Sequence, residues 1–248
     1  MTPIRIVMLS LLAAFAVGAV ASASASAASL EWEVCEELAG PGVEPPTKYD
    51  NHKCNTQIEA LAKRKWEWRL LTGEYLTLSK GTKEFKLEVG GKVIACSGVT
   101  DHGFILAGGK DDATKIVFTG CKAGPNGCKA KSAGGVAETI EVTNIKTQLE
   151  TIGGKLVDKF EQKTVGTTKE FVTLEFEGAT CAGEGFVKTK VKGNVAAECK
   201  NLANGNVELN FPKPAIAQTP KLEAFGLEAT LTGTTEEELE NGWAHRCV

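Results

Sequence analysis

Over most of its length this chain alternates apolar and polar residues with period two, and glycine cuts the runs at short intervals. A period of two puts alternate side chains on opposite faces of a strand, whereas a helix face needs apolar residues three and four apart. The pattern is clearest in FKLEVGGKVIACS, Phe85 to Ser97. With a two-residue turn at Gly90-Gly91, Phe85 falls opposite Cys96 and Leu87 opposite Ile94, so these four share one buried face. A second hairpin is predicted where Gly153-Gly154 separates TIEVTNIKTQLETI from KLVDKFEQK. Further strands are expected in GFILAG, KIVFTGC, KEFVTLEFEG, GFVKTKVKG, NVELNF and KLEAFGLEATLTG. About eleven short strands predict an all-β domain, an antiparallel barrel or sandwich with little helix. IEALAKRK carries residues for about two helical turns, and TTEEELENG, with a Thr-x-x-Glu cap and Gly242 at its end, predicts one short C-terminal turn.

Eight cysteines, all beyond residue 34, constrain the fold further. Their even number reads as four disulfides, which form and persist in oxidising compartments. Geometry ranks the pairings. Cys121 and Cys128 flank a Gly-Pro-Asn-Gly turn and are expected to staple a hairpin. Cys35 and Cys54 bracket a proline-rich loop, EELAGPGVEPPTKYDNHK, which has no apolar periodicity to order it by burial. Cys96 points inward and needs an inward partner, for which Cys181 is the choice. Cys199 and Cys247 remain to clamp the tail. No paired C-x2-C spacing or His-Cys grouping suggests a metal, and no C-x-x-C at a helix start suggests redox exchange.

Arg5, the apolar run IVMLSLLAAFAVGAVA and the small-residue stretch SASASAAS read as a secretory signal peptide over residues 1–28. No later segment has the roughly 20 apolar residues that a helical span requires. Residues 29–80 are expected to form a disulfide-pinned appendage containing the short helix, and residues 81–248 a β core with the C-terminal clamp. Beyond the leader, 27 basic side chains meet 31 acidic ones, a balance of −4 with no long block of either sign. That excludes nucleic acid as an expected partner. The expected location is extracellular or at the cell envelope.

Cys96-Ser97-Gly98, Phe118-Thr119-Gly120-Cys121, Cys128 and Gly185 together resemble a group of exported proteins of unknown function. These occur in many divergent copies in some high-GC Gram-positive bacteria. The resemblance spans residues 35 to about 220 and implies export and β architecture; it implies no activity.

Residues for catalysis are sparse. The histidines are His52, His102 and His245, and the serines beyond the leader are Ser29, Ser79, Ser97 and Ser132. Asp101 and His102 are neighbours on a strand, so they point to opposite faces and do not form a relay with Ser97. The Gly-Gly-Lys triplets are followed by Val, Asp and Leu, which fails the phosphate-loop spacing. Glutamates are plentiful, at Glu138 and Glu141, Glu175 and Glu177, and Glu236 to Glu238; a hydrolase acting on glycans would need such a carboxylate pair, but a solvated strand face explains Glu175 and Glu177. No metal or cofactor is called for. The best binding candidates are Trp66 and Trp68, whose indoles fall on one strand face about 7 Å apart, suited to stacking on envelope glycan. The expectation is an exported, non-enzymatic β-domain with a binding or structural role.

Overall fold

The computed structural model describes residues 30–38, 49–57, 65–163, 170–211 and 221–248. Residues 1–28 and most of IEALAKRK lie outside the described residues. All regular elements among the described residues are strands. The first are β1 (Trp32–Glu37), β2 (Trp66–Leu70), β3 (Glu74–Gly81), β4 (Phe85–Val89), β5 (Lys92–Cys96) and β6 (Gly98–Leu106). Then come β7 (Lys110–Thr119), β8 (Lys122–Ala123), β9 (Cys128–Ser132), β10 (Thr139–Thr143), β11 (Ile145–Ile152) and β12 (Lys155–Gln162). The last are β13 (Val172–Glu177), β14 (Thr189–Asn201), β15 (Val207–Phe211), β16 (Leu222–Ala224), β17 (Leu227–Leu239) and β18 (His245–Cys247).

The pairings close two rings. In the first, β7, β11, β12, β14, β15, β17, β3 and β6 pair antiparallel in that order, and β6 returns to β7. In the second, β14, β16, β17, β4, β5, β8, β9 and β13 pair in order, and β13 returns to β14. Closure satisfies the backbone groups that a sheet edge would expose. The antiparallel barrel thus occurs as two linked rings sharing β14 and β17, each 13 residues long.

Each shared strand changes ring at a glycine. β14 pairs in the second ring through Gly193 and in the first from Asn194, while β17 pairs in the second through Thr232 and in the first from Gly233. At Gly193, φ is +99° and a Cβ would stand 2.0 Å from the Lys221 carbonyl oxygen. At Gly233 a Cβ would stand 2.5 Å from the Phe85 ring. Glycine inside a strand marks such bends and close approaches.

Alternation fills the interior as the sequence predicts. Phe85 pairs with Cys96 and Leu87 with Ile94 across the β4–β5 turn, and Ile152 pairs with Lys155 across Gly153-Gly154. One apolar cluster runs through both rings. Within it Phe118, Phe85, Phe211 and Phe160 form a chain with ring centroids 5.4–5.6 Å apart. Burying each such side chain stabilises the fold by roughly 1.5–3 kcal/mol. Outside, lysine–glutamate pairs such as Lys146–Glu161 and Lys192–Glu223 lie directly across neighbouring strands; exposed pairs of this kind contribute at most about 1 kcal/mol.

Three expectations need correction. Cys35–Cys54 and Cys199–Cys247 pair as ranked, but the remaining bonds are Cys96–Cys121 and Cys128–Cys181. Register explains the exchange. Ile94 pairs with Ala123 and Ala95 with Lys122, which carries Cys96 directly opposite Cys121 at a Cα separation of 4.0 Å. Cys128, by contrast, faces Ala123, one diagonal away from Cys121. The second correction is TTEEELENG, where Thr234 to Leu239 continue β17 because Thr235, Glu237 and Leu239 fill the ring interior. The third is the boundary at residue 80: β3 belongs to the large sheet, and the N-terminal β1 and β2 form their own sheet with the C-terminal β18.

That three-stranded sheet, in the order β18-β1-β2, caps the first ring. The Gly108 N–H at the β6–β7 turn donates to Glu31 Oε2 at 2.8 Å, and the His245 N–H donates to the Gly205 carbonyl at the β14–β15 turn. Trp32, Val34, His245 and Cys247 form its buried inner face.

Candidate functional site

The interior of the first ring is not wholly apolar. Asp101, Ser79 and Glu237 stand in register on the adjacent strands β6, β3 and β17. Ser79 donates its hydroxyl to Glu237 Oε2 at 3.2 Å, and His245 Nε2 from the cap lies 3.0 Å from Glu237 Oε1. β7 adds Asp111 and β12 adds Asp158, both buried, with Thr147 of β11 directly opposite Asp111. Glu237 has partners on both oxygens. Asp101 Oδ1, Asp111 Oδ1 and His245 Nδ1 have none, while the Thr147 hydroxyl lies beside the Asp158 carboxyl.

Burial decides the chemistry of this layer. It pushes the Asp101 carboxyl up to about 8, with the Glu237 charge adding to the effect. It likewise raises Asp158 to about 7 and holds Asp111 well above the usual carboxylate range. No lysine or arginine among the described residues is buried beside them. An ionised carboxylate without a partner in such a place costs several kcal/mol, so these groups keep protons instead. No three histidine, cysteine or acidic side chains among the described residues are arranged to hold a metal ion.

The acidic layer borders a cavity of about 120 Å³ that reaches into both rings. Its walls are apolar, with Phe85, Phe118, Phe160, Leu174 and Phe211 prominent, and its polar lining comes from Ser79, Asp101 and Thr235. These three lie on adjacent strands and so make one polar wall.

The binding candidates Trp66 and Trp68 and the carboxylates Glu175 and Glu177 lie elsewhere, whereas Glu237 of the Glu236–Glu238 run is buried in this layer. Trp66 and Trp68 are half-buried on the cap, packed against Cys35, Cys54 and Ala244. Trp66 meets the Trp243 ring edge-on at 5.3 Å and His52 at 6.0 Å, and the Arg246 guanidinium sits 4.4 Å from the centre of the Trp68 ring. Their faces hold the cap together. Glu175 is bound to Lys188 and Glu177 to Lys131 on the outer surface. Ser97 and His102 are exposed, apart from the inward Asp101. The layer as a whole escaped sequence reading, although a signal for it exists: Asp101 is in phase with the buried Val99 and Ile105, and Glu237 with the buried Thr235 and Leu239.

Four disulfides, with no free cysteine among the described residues, are typical of extracellular or envelope proteins. Comparison with protein-family models, curated proteins and solved structures finds no match.

Proposed function

We propose that this chain is an exported, non-enzymatic binding module that takes a compact apolar molecule into its barrel interior. The observation that carries this reading is the cavity of about 120 Å³ walled by Phe85, Phe118, Phe160 and Phe211. An engineered apolar cavity of roughly 150 Å³ binds benzene, so a space of this size suits a ligand of about that bulk. The disulfides and the leader-like N-terminus support release to an oxidising compartment, and the resemblance to exported β proteins agrees with it. Stacking on glycan through Trp66 and Trp68 is less well supported, because Trp243 and Arg246 already engage those indoles.

Calorimetry with toluene tests the proposal. Saturable binding to the wild-type protein is expected, together with a rise in melting temperature. Val195→Phe, which fills the cavity from its wall, is expected to abolish binding while the protein stays folded. A folded wild-type protein that takes up neither toluene nor benzene at millimolar concentration overturns the reading.

A further inference from the structure

We infer that the molecule taken into this cavity carries an amine, which donates from its ammonium form to the carboxylate of Asp101. The inference rests on the binding function proposed above and specifies its ligand.

The groups facing Asp101 make the case. β17 presents Glu237, β7 presents Asp111, β12 presents Asp158 and β18 presents His245; β3 and β11 bring Thr77, Ser79 and Thr147, which do not titrate in this range. Four carboxyls therefore share the interior with one imidazole, and that imidazole is already directed at Glu237. Glu237 is satisfied, so it makes no demand on a ligand. Asp158 is completely buried beside the Thr147 hydroxyl, and Asp111 is buried with one oxygen unpartnered. Of the unsatisfied acids, Asp101 is the one on the cavity wall. A ligand entering the apolar space thus meets an acid whose proton can be exchanged for an ammonium, in an interior with no buried lysine or arginine among the described residues to receive an anion.

The exchange balances. Without ligand, Asp101 holds a proton, because burial raises its carboxyl to about 8. When an ammonium ion enters, that proton leaves to solvent and the ammonium N–H donates to the resulting carboxylate. One cation replaces another, and the net charge of the interior is unchanged. Binding is therefore linked to the release of one proton wherever Asp101 is protonated in the free protein.

The test uses the full disulfide-bonded protein titrated calorimetrically with benzylamine, toluene and sodium benzoate at pH 6, 7 and 8. Benzylamine is expected to bind at least tenfold more tightly than toluene at pH 8, and to weaken about tenfold for each unit towards pH 6. Toluene affinity stays flat, and benzoate does not bind. Repeating the benzylamine titration in buffers of different ionisation enthalpy should count one proton released per ligand at pH 6. Asp101→Asn is expected to bring benzylamine to the affinity that the same variant shows for toluene and to remove the pH slope, while its cooperative melting curve reports a folded protein. If that variant fails to fold, the wild-type pH profile and proton count decide. Toluene binding with benzylamine no tighter and no pH slope overturns this inference and leaves the proposed function standing; binding of neither overturns both.

Discussion

His245 and Glu237, eight residues apart in the chain, meet inside the protein with Nε2 and Oε1 3.0 Å apart and both side chains buried. Glu237 belongs to the first ring and His245 to the cap, so this contact joins the two. Removing one partner of a buried pair strands the other without compensation. His245→Ala should therefore lower stability by roughly 3 kcal/mol, measured by urea denaturation. His245→Ala combined with Glu237→Leu should recover much of that loss, because the uncompensated carboxyl is gone.

Stability should fall as pH rises. Asp101 and Asp158 titrate near 8 and 7 in the folded chain, against 3.8 ordinarily. Between about pH 4 and 8 the unfolded chain has lost protons that the folded chain retains, so the unfolded state binds fewer. Each group then contributes a decline of up to about 1.4 kcal/mol per pH unit within its own window. Denaturation curves collected from pH 4 to 9 should show this slope. Asp158→Asn should reduce it and leave the variant more stable than wild type at pH 8.

Gly193 and Gly233 are where the shared strands pass between rings. Gly193→Ala should destabilise by about 3 kcal/mol or more, because the methyl group meets a backbone oxygen that has no rotamer to change. Gly233→Ala meets the Phe85 ring instead and should be relieved in part by Phe85→Leu. A double-mutant cycle on the denaturation midpoints measures that coupling.

Peptide mapping without reduction should recover Cys96 joined to Cys121 and Cys128 joined to Cys181. The bond between Cys199 and Cys247 closes a span of 48 residues and ties the cap strand β18 to β14. By the loop-entropy relation its removal costs about 4 kcal/mol, against about 3 for Cys35–Cys54 with its span of 19. Paired Cys→Ala variants in equilibrium denaturation test the order.

Much of the architecture was legible because strand alternation is a local property. Phe85, Leu87, Ile94 and Cys96 share a face once the Gly90-Gly91 turn is recognised, and no distant residue is needed to say so. The Cys121–Cys128 staple misled because proximity in sequence is a poor guide to partners inside a sheet. The strand that places Cys96 opposite Cys121 arrives from before both. TTEEELENG misled for a related reason: local helix signals yielded to burial of Thr235 and Glu237 in the ring. Trp66 and Trp68 do lie on one strand of the cap, but the sequence does not show that Trp243 and Arg246 return from the far end of the chain to engage them.

From the sequence alone follow the strand periodicity and the oxidised cysteine chemistry, since each depends on residue type and short spacing. Tertiary structure decided the closure into two rings, two of the four disulfide partners and the gathering of Asp101, Asp111 and Asp158 near Glu237. Those acids come from strands spread over more than half the chain. Only the register between strands, fixed by simultaneous burial of every inward face, brings them together inside the barrel.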